Sequence, residues 1–273
     1  MNQIEIGQGK SARRAYELSD ISIVPSRRTR DADDVDASWQ VDAFGFAQPL
    51  VTVGTKLAPT GGLAVLDLEA AGVPIDAGAI KDRLAEVRDA GGTCAVAVRP
   101  ARAEAMLGVL AKAELDLLVI LGRVVSAEHV SAQRDPLNLK SFVRHLEVPV
   151  LVGGCASYRA ALHLMRTGAA GVIVGVDPAS RGVGVPLATA IADARGARMR
   201  HLDETGVYVH LIAAGGAASG GEVAKAVVCG ADAVLVDESV DAAAVVSDLR
   251  RSMATCGYGT LKEFQNADLV VHP

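Results

Sequence analysis

Aromatic residues are scarce in this chain of 273 residues: they make up 3%, with one tryptophan, four tyrosines and four phenylalanines, although half of all residues are hydrophobic. The volume of any core must therefore come from alanine, valine, leucine and isoleucine. That composition is typical of buried parallel strands packed beneath alanine-rich helices. The length fits one large α/β domain.

Long apolar runs are also missing, since no segment approaches the roughly 18 residues that a membrane span needs. The first residues, MNQIEIGQGKSARR, contain no apolar core of a signal peptide. A net charge of −5 gives no electrostatic reason to bind nucleic acid. We therefore expect a cytoplasmic protein without nucleic-acid or membrane partners.

The chain has four cysteines, Cys94, Cys155, Cys229 and Cys256, and none of them forms a CxxC pair. Such isolated cysteines indicate reduced thiols in the cytosol rather than a zinc site or a disulfide framework. We predict no metal site from them.

Eight short apolar runs follow the first 45 residues, most of them separated by segments with helical spacing of apolar residues. This alternation predicts an α/β fold, a (β/α)₈ TIM barrel with an N-terminal hairpin and short loops after its strands. A doubly wound sheet is the alternative, but no GxGxxG follows the first strand. The predicted strands are Pro49–Val53, Leu63–Leu66, Cys94–Val98, Leu117–Leu121, Val150–Val152, Val172–Val174, Val209–Ala213 and Ala233–Val236.

We expect a single domain over residues 1–273, with an arm at 1–45, a barrel at 46–255 and a tail at 256–273. The connection GTKLAPTGG (54–62) is shorter than the dozen or so residues that usually join neighbouring parallel strands. It predicts a missing helix and a barrel that is open or poorly closed at this point.

Several separated motifs occur in one order: YELSDISIVPSRRTR (16–30), GAAGVIVG (168–175) followed by GVGVPLATAIADA (182–194), SGGEVAKAVVCGADAVLV (219–236) and LRRSMATCGYGTLKEFQ (249–265). Together they resemble the inosine monophosphate dehydrogenase / GMP reductase family, and in particular its divergent bacterial members without the regulatory CBS module. The resemblance covers nearly the whole chain. It implies a barrel, a purine nucleotide ligand (IMP or GMP), NAD as cofactor, and assembly into oligomers.

The resemblance also implies site residues. Ser180 matches the family's phosphate-binding serine, and Gly215, Gly216 and Gly221 match its glycine loop and following helix start. The family's ribose-binding aspartate is replaced by Ala214. The loop with the cysteine that attacks the purine is absent, and Cys155 is the one cysteine predicted near the barrel mouth, where a small buried residue is the competing interpretation.

Other positions also lack the functional residues that the family has there. Asp237 and Glu238 stand where the family has a Gly-Ser pair that binds phosphate, and we interpret them as first-turn and capping residues of the next helix. In the region that begins with Leu121-Gly122-Arg123, the dehydrogenases have an aspartate that meets the nicotinamide side of the site, and the matching position here is apolar. The mobile flap that activates water is missing, and His210 is predicted to be a hydrogen-bonded core histidine.

These observations leave three hypotheses. The first is a degenerate paralogue that lacks dehydrogenase chemistry and acts as a binding or regulatory subunit, alone as a homo-oligomer or with a related dehydrogenase. The second is NAD-dependent oxidation of IMP at a non-standard site that uses Cys155 or a neighbouring subunit. The third is a barrel enzyme that uses Asp237, Glu238 and a metal ion.

Overall fold

A computed structural model describes residues 3–55, 61–132, 137–176 and 182–272. Eight parallel strands form a closed barrel in the order β10-β11-β12-β13-β6-β7-β8-β9, which confirms the predicted (β/α)₈ architecture. The strands are, in chain order, β1 (Gln3–Gly7), β2 (Lys10–Arg13), β3 (Ile21–Ile23), β4 (Trp39–Val41), β5 (Phe44–Phe46), β6 (Leu50–Gly54), β7 (Leu63–Asp67), β8 (Ala95–Val98), β9 (Leu117–Leu121), β10 (Val150–Cys155), β11 (Gly171–Val174), β12 (His210–Ala214), β13 (Ala233–Val236) and β14 (Leu269–Val271).

The barrel closes at the short first connection, so the expectation of an open barrel there was wrong. Strand β6 pairs in parallel with β7 from Val51↔Leu63 to Gly54↔Leu66, and with β13 on its other side. An extended chain covers about 3.3 Å per residue, so the eight residues between β6 and β7 are long enough to return along a five-residue strand without a helix.

The helices pack outside the barrel, and their ends are set by local signals. Helix α6 begins with a capping box between Ser219 and Glu222. Helix α5 ends at Gly206, whose φ of 73° suits a left-handed C-terminal residue. The helices are α1 (Ala77–Asp89), α2 (Pro100–Leu110), α3 (Leu139–Arg144), α4 (Tyr158–Met165), α5 (Leu187–Thr205), α6 (Gly220–Cys229), α7 (Ala242–Thr255) and α8 (Leu261–Phe264).

The arm before the barrel consists of three small pieces. Strands β1 and β2 pair only with each other, β3 pairs with β14 of the tail, and β4 pairs with β5. The β4–β5 hairpin lies at the amino ends of the barrel strands, where Trp39 stacks on Phe46 and meets the ring of His210 edge to face. Within the described residues, no helix is long and apolar enough to cross a membrane.

A buried ionic network holds the amino-terminal side of the barrel together. Arg198 on α5 is 2% exposed and donates to Asp232, just before β13, at 2.8 Å. The same carboxylate accepts hydrogen bonds from the hydroxyl of Tyr208 and from the backbone N–H of Leu211 on β12. Gln265 in the tail donates to the carbonyl of Ala231 beside it. The network therefore connects α5, two barrel strands and the tail.

We predict that Arg198→Met lowers the free energy of unfolding by about 3 kcal/mol, because it leaves the Asp232 carboxylate without its buried cation. Urea denaturation followed by circular dichroism measures the change. Arg251→Met is the matched control, since Arg251 is 71% exposed in its pair with Asp248, and it should change stability by less than about 0.5 kcal/mol. Equal effects of the two variants would contradict a structural role for the network.

Candidate functional site

The carboxyl ends of the barrel strands form the mouth, where barrel enzymes place their chemistry. After β12 the chain passes through Gly215 and Gly216, whose φ angles of 137° and 96° are readily adopted only by glycine. Among the described residues, the backbone N–H groups of Gly215, Gly216 and Gly221 form no hydrogen bond. A Cβ at Gly216 or Gly221 would meet nothing within 4 Å. Gly221 lies in the first turn of α6, and Gly215 and Gly216 directly follow β12, so unbonded backbone N–H groups of the kind that can bind an anion lie on this loop.

Part of the same helix terminus is already occupied by a protein carboxylate. Glu222 accepts hydrogen bonds from the N–H groups of Ala218 and Ser219 at 2.9 and 3.1 Å, and from the Ser219 hydroxyl. Burial opposes ionisation of Glu222, but these hydrogen bonds outweigh it and lower its pKa. An anion at this loop would therefore depend on the glycine N–H groups alone.

The start of α5, on the neighbouring loop, is capped from the arm. Pro186 gives no side-chain cap, and the Glu17 carboxylate accepts from the N–H of Leu187 at 2.8 Å. Leu187 in turn lies next to Gly215. The predicted phosphate-binding residue Ser180 precedes this helix and lies outside the described residues.

Cys155 ends strand β10 at the mouth but is not accessible there. Its exposed fraction is 2%, and burial raises the pKa of its thiol to about 12. Cys229, at the end of α6, is also buried, with a pKa raised to about 11, and burial raises the pKa of Cys94 and Cys256 as well. A thiol needs to be ionised to act as a nucleophile. At neutral pH none of the four provides a thiolate.

The capping role expected for Asp237 and Glu238 was wrong. Helix α7 begins at Ala242, and Asp241 caps it by accepting from two backbone N–H groups. Asp237 instead closes a turn with the N–H and hydroxyl of Ser239, and these hydrogen bonds lower its pKa. The Glu238 carboxylate lies against Gly54, so closely that a Cβ there would overlap it. This carboxylate therefore sits at the mouth, at the end of the first barrel strand.

The sequence analysis missed an ion pair at the mouth between Asp67 at the end of β7 and Arg99 after β8. Arg99 donates to Asp67 at 2.7 Å and to the carbonyl of Leu121 at 3.3 Å. Asp67 is almost fully buried and also accepts from the N–H groups of Glu69 and Ala70. The available signal was an aspartate directly after one buried strand and an arginine after the next. The pair joins the carboxyl ends of the neighbouring strands β7 and β8.

Arg99, which is 40% exposed, also lines a cavity of about 470 Å³ with the loop after β9. His129 lies on that loop beside Glu128, and both are exposed. Across the described part of the chain, no group of three or more histidine, cysteine, aspartate or glutamate residues could hold a metal ion. The structure thus adds no third ligand to Asp237 and Glu238.

His210 lies half-buried at the opposite end of the barrel. It begins β12 and contacts the rings of Trp39 and Tyr208. The hydrogen-bonded core histidine that we expected is not observed, because the imidazole makes ring contacts but no hydrogen bond with any described residue. Its distance from the mouth separates it from the predicted site.

The structure is a closed (β/α)₈ barrel with a glycine loop at its mouth. Residues 51–244 match the IMP dehydrogenase / GMP reductase domain. A crystal structure of an IMP dehydrogenase/GMP reductase-like protein from Corynebacterium glutamicum superimposes with a TM-score of 0.87 and 34% identity, covering 99% of this chain and 98% of that one. The chain therefore belongs to the IMP dehydrogenase / GMP reductase family.

Two further relatives show how it differs within the family. An uncharacterized oxidoreductase of Mycobacterium tuberculosis is 39% identical, over 98% of this chain and 99% of the relative. That alignment runs over 372 positions, about a hundred more than the 273 residues of this chain. The inosine-5'-monophosphate dehydrogenase of Methanocaldococcus jannaschii is 34% identical over 46% of this chain and 25% of its own length. The alignment with the mycobacterial oxidoreductase thus covers nearly the whole of both chains and contains gaps, whereas the alignment with the dehydrogenase covers only part of each.

We predict that the folded protein reacts with a thiol reagent such as dithionitrobenzoate far more slowly than a free cysteine, because all four thiols are buried and protonated. In strong denaturant, four thiols per chain should react at once. The absorbance of the thiolate released from the reagent gives the number of reactive thiols in the folded and in the denatured protein. One rapidly reacting thiol that disappears in Cys155→Ala would contradict the buried position of Cys155.

Proposed function

We propose that the protein is a member of the IMP dehydrogenase / GMP reductase family that does not carry out dehydrogenase chemistry. The observation that carries this proposal is the burial of all four cysteines, with the pKa of each thiol raised. The family resemblance implies a covalent step through a cysteine thiolate. With Cys155 protonated and covered at the mouth, the chain offers no group for that step.

The residues at the nicotinamide side of the mouth do not fit NAD in the way that the resemblance implies. In the region that begins at Leu121, the position where the resemblance implies a carboxylate is apolar, and the Leu121 carbonyl accepts from Arg99. Arg99 is held by Asp67, and the Asp67–Arg99 pair occupies the ends of β7 and β8. Hydride transfer to NAD is therefore not part of the function that we propose.

A purine nucleotide remains the ligand that the mouth supports best. The unbonded N–H groups of Gly215, Gly216 and Gly221 are the donors for its phosphate, and Ser180 is their partner by resemblance. Glu222 and Glu238 lie close to this loop or to the mouth, so binding should be weak compared with an enzyme that has a full set of donors. The protein would then act as a nucleotide-binding regulatory subunit in the cytoplasm, as a homo-oligomer or together with a related dehydrogenase.

The test combines a thermal melt with an assay on the same samples. IMP, GMP or XMP at about 100 times its dissociation constant should stabilise the protein by about 2.7 kcal/mol, a rise of about 5 °C in the melting temperature of a chain of this length. The same samples with IMP and NAD should form no NADH. Gly221→Asp, which places a carboxylate in open space at the start of α6 without a positive φ, should abolish the shift, and exposed Val130→Asp is the matched control.

Two outcomes would contradict the proposal. Absence of any shift with all three nucleotides would overturn the nucleotide-binding role. NADH formation at an ordinary enzymatic rate, on the order of 1 per second, would overturn the loss of chemistry. If Cys155→Ala removed that activity, the non-standard enzyme with Cys155 as nucleophile would be the correct description.

A further inference from the structure

A second cavity lies at the amino ends of the barrel strands, on the side opposite the mouth. Its volume is about 630 Å³, within the range of small-molecule sites. It is bounded by the β4–β5 hairpin, by the first residue of β12, by the residue before β13 and by α8 in the tail. The residues that carry the argument are Trp39, Asp42, Tyr208, His210, Asp232 and Lys262.

The floor of this cavity is rigid and its polar groups are already bonded. Asp232 holds the Arg198 guanidinium, and it accepts the Tyr208 hydroxyl at 2.7 Å. The Arg198 guanidinium also lies 4.7 Å from the centre of the Tyr208 ring. A ligand therefore meets a fixed surface whose charges are paired.

Three rings form the wall. The His210 ring is 5.1 Å from that of Tyr208 and 6.5 Å from that of Trp39, edge to face in both cases. Such rings favour contact with a further planar ring, by stacking or by edge-to-face packing. The indole N–H of Trp39 is bonded to the carbonyl of Gln48, which fixes the orientation of that side chain.

His210 is the one ring of the wall with polar atoms that no described residue uses. Burial lowers the pKa of its imidazole, and the positive charge of Arg198 lowers it further. The carboxylates of Asp232 and Asp42 oppose this shift without reversing it. At neutral pH the ring is uncharged and therefore presents one donor and one acceptor. These two atoms match the edge of a heteroaromatic ring.

The charges around the opening do not favour a highly charged ligand. Asp42 and Lys262 are exposed and carry opposite signs, while Asp232 is neutralised by Arg198. A phosphate dianion would gain no net cation here. We propose that this cavity is a binding site for an uncharged planar heteroaromatic molecule of about the size of a nucleoside, held by the Trp39, Tyr208 and His210 rings and hydrogen-bonded to the His210 imidazole.

The only tryptophan of the chain, Trp39, lines this cavity, so its fluorescence reports directly on the site. Adenosine serves as the probe, and ribose serves as the non-aromatic control. We expect saturable quenching by adenosine and none by ribose. His210→Ala should weaken adenosine binding about tenfold, the loss expected for one hydrogen bond to the ligand.

His210→Gln keeps a donor and an acceptor and should restore most of the affinity, which a purely structural role of His210 would not explain. His129→Ala, at an exposed histidine on the mouth side, should leave the titration unchanged. Circular dichroism confirms that each variant is folded. The proposal is overturned if adenosine causes no saturable quenching, or if His210→Ala binds adenosine as well as the unchanged chain does. Both readouts are independent of nucleotide binding at the mouth.

Discussion

The carboxylate of Asp232 accepts hydrogen bonds from Arg198, Tyr208 and the backbone of Leu211, and so joins a helix and two strands at one buried point. With the Gln265 amide, which donates to the same carboxylate at 3.4 Å, four donors compensate for the loss of water around this charge, and one of them is a guanidinium. The amino-terminal side of the barrel depends on this arrangement. In barrels this side supports stability, whereas the opposite side carries function. A chain that keeps the network can lose loops at the mouth and still close its barrel.

At the mouth, the first connection between barrel strands is short, and charged side chains lie near the strand ends. Strands β6 and β7 remain paired although only eight residues connect them. The Glu222 carboxylate lies beside the glycine loop. At the strand ends lie the Glu238 carboxylate and the Asp67–Arg99 pair. Of these, Glu238 stands where the family resemblance implies a phosphate contact. The family is shown for the framework of this protein, and the loss of the family's chemistry is what we propose.

The periodicity of apolar residues was enough to predict the eight barrel strands, because buried parallel strands produce continuous apolar runs. It failed where local signals were ambiguous. Helix α5 continues through Gly196, which lies opposite the ring of Tyr158 and gives no stop signal there, and it ends at Thr205 before the left-handed Gly206. The helix cap expected at Asp237 is Asp241, since Asp237, Ser239 and Asp241 are all suitable caps within five positions.

The candidate site was predictable only in part. The glycines at 215, 216 and 221 were found because their spacing matches a known family loop. The Asp67–Arg99 pair was not, because its partners come from different strands, 32 residues apart in the chain. The burial of Cys155 was the competing interpretation from sequence, and only packing around the end of β10 decides between a small core residue and a nucleophile.

Intact-mass spectrometry of the protein after incubation with IMP and NAD tests the central claim most directly. The chemistry implied by the family passes through a nucleotide bound covalently to a cysteine, and a chain without an available thiolate cannot form that bond. The account predicts a single mass equal to that of the untreated chain. A species heavier by one purine nucleotide, present in the unchanged protein and absent in Cys155→Ala, would contradict it.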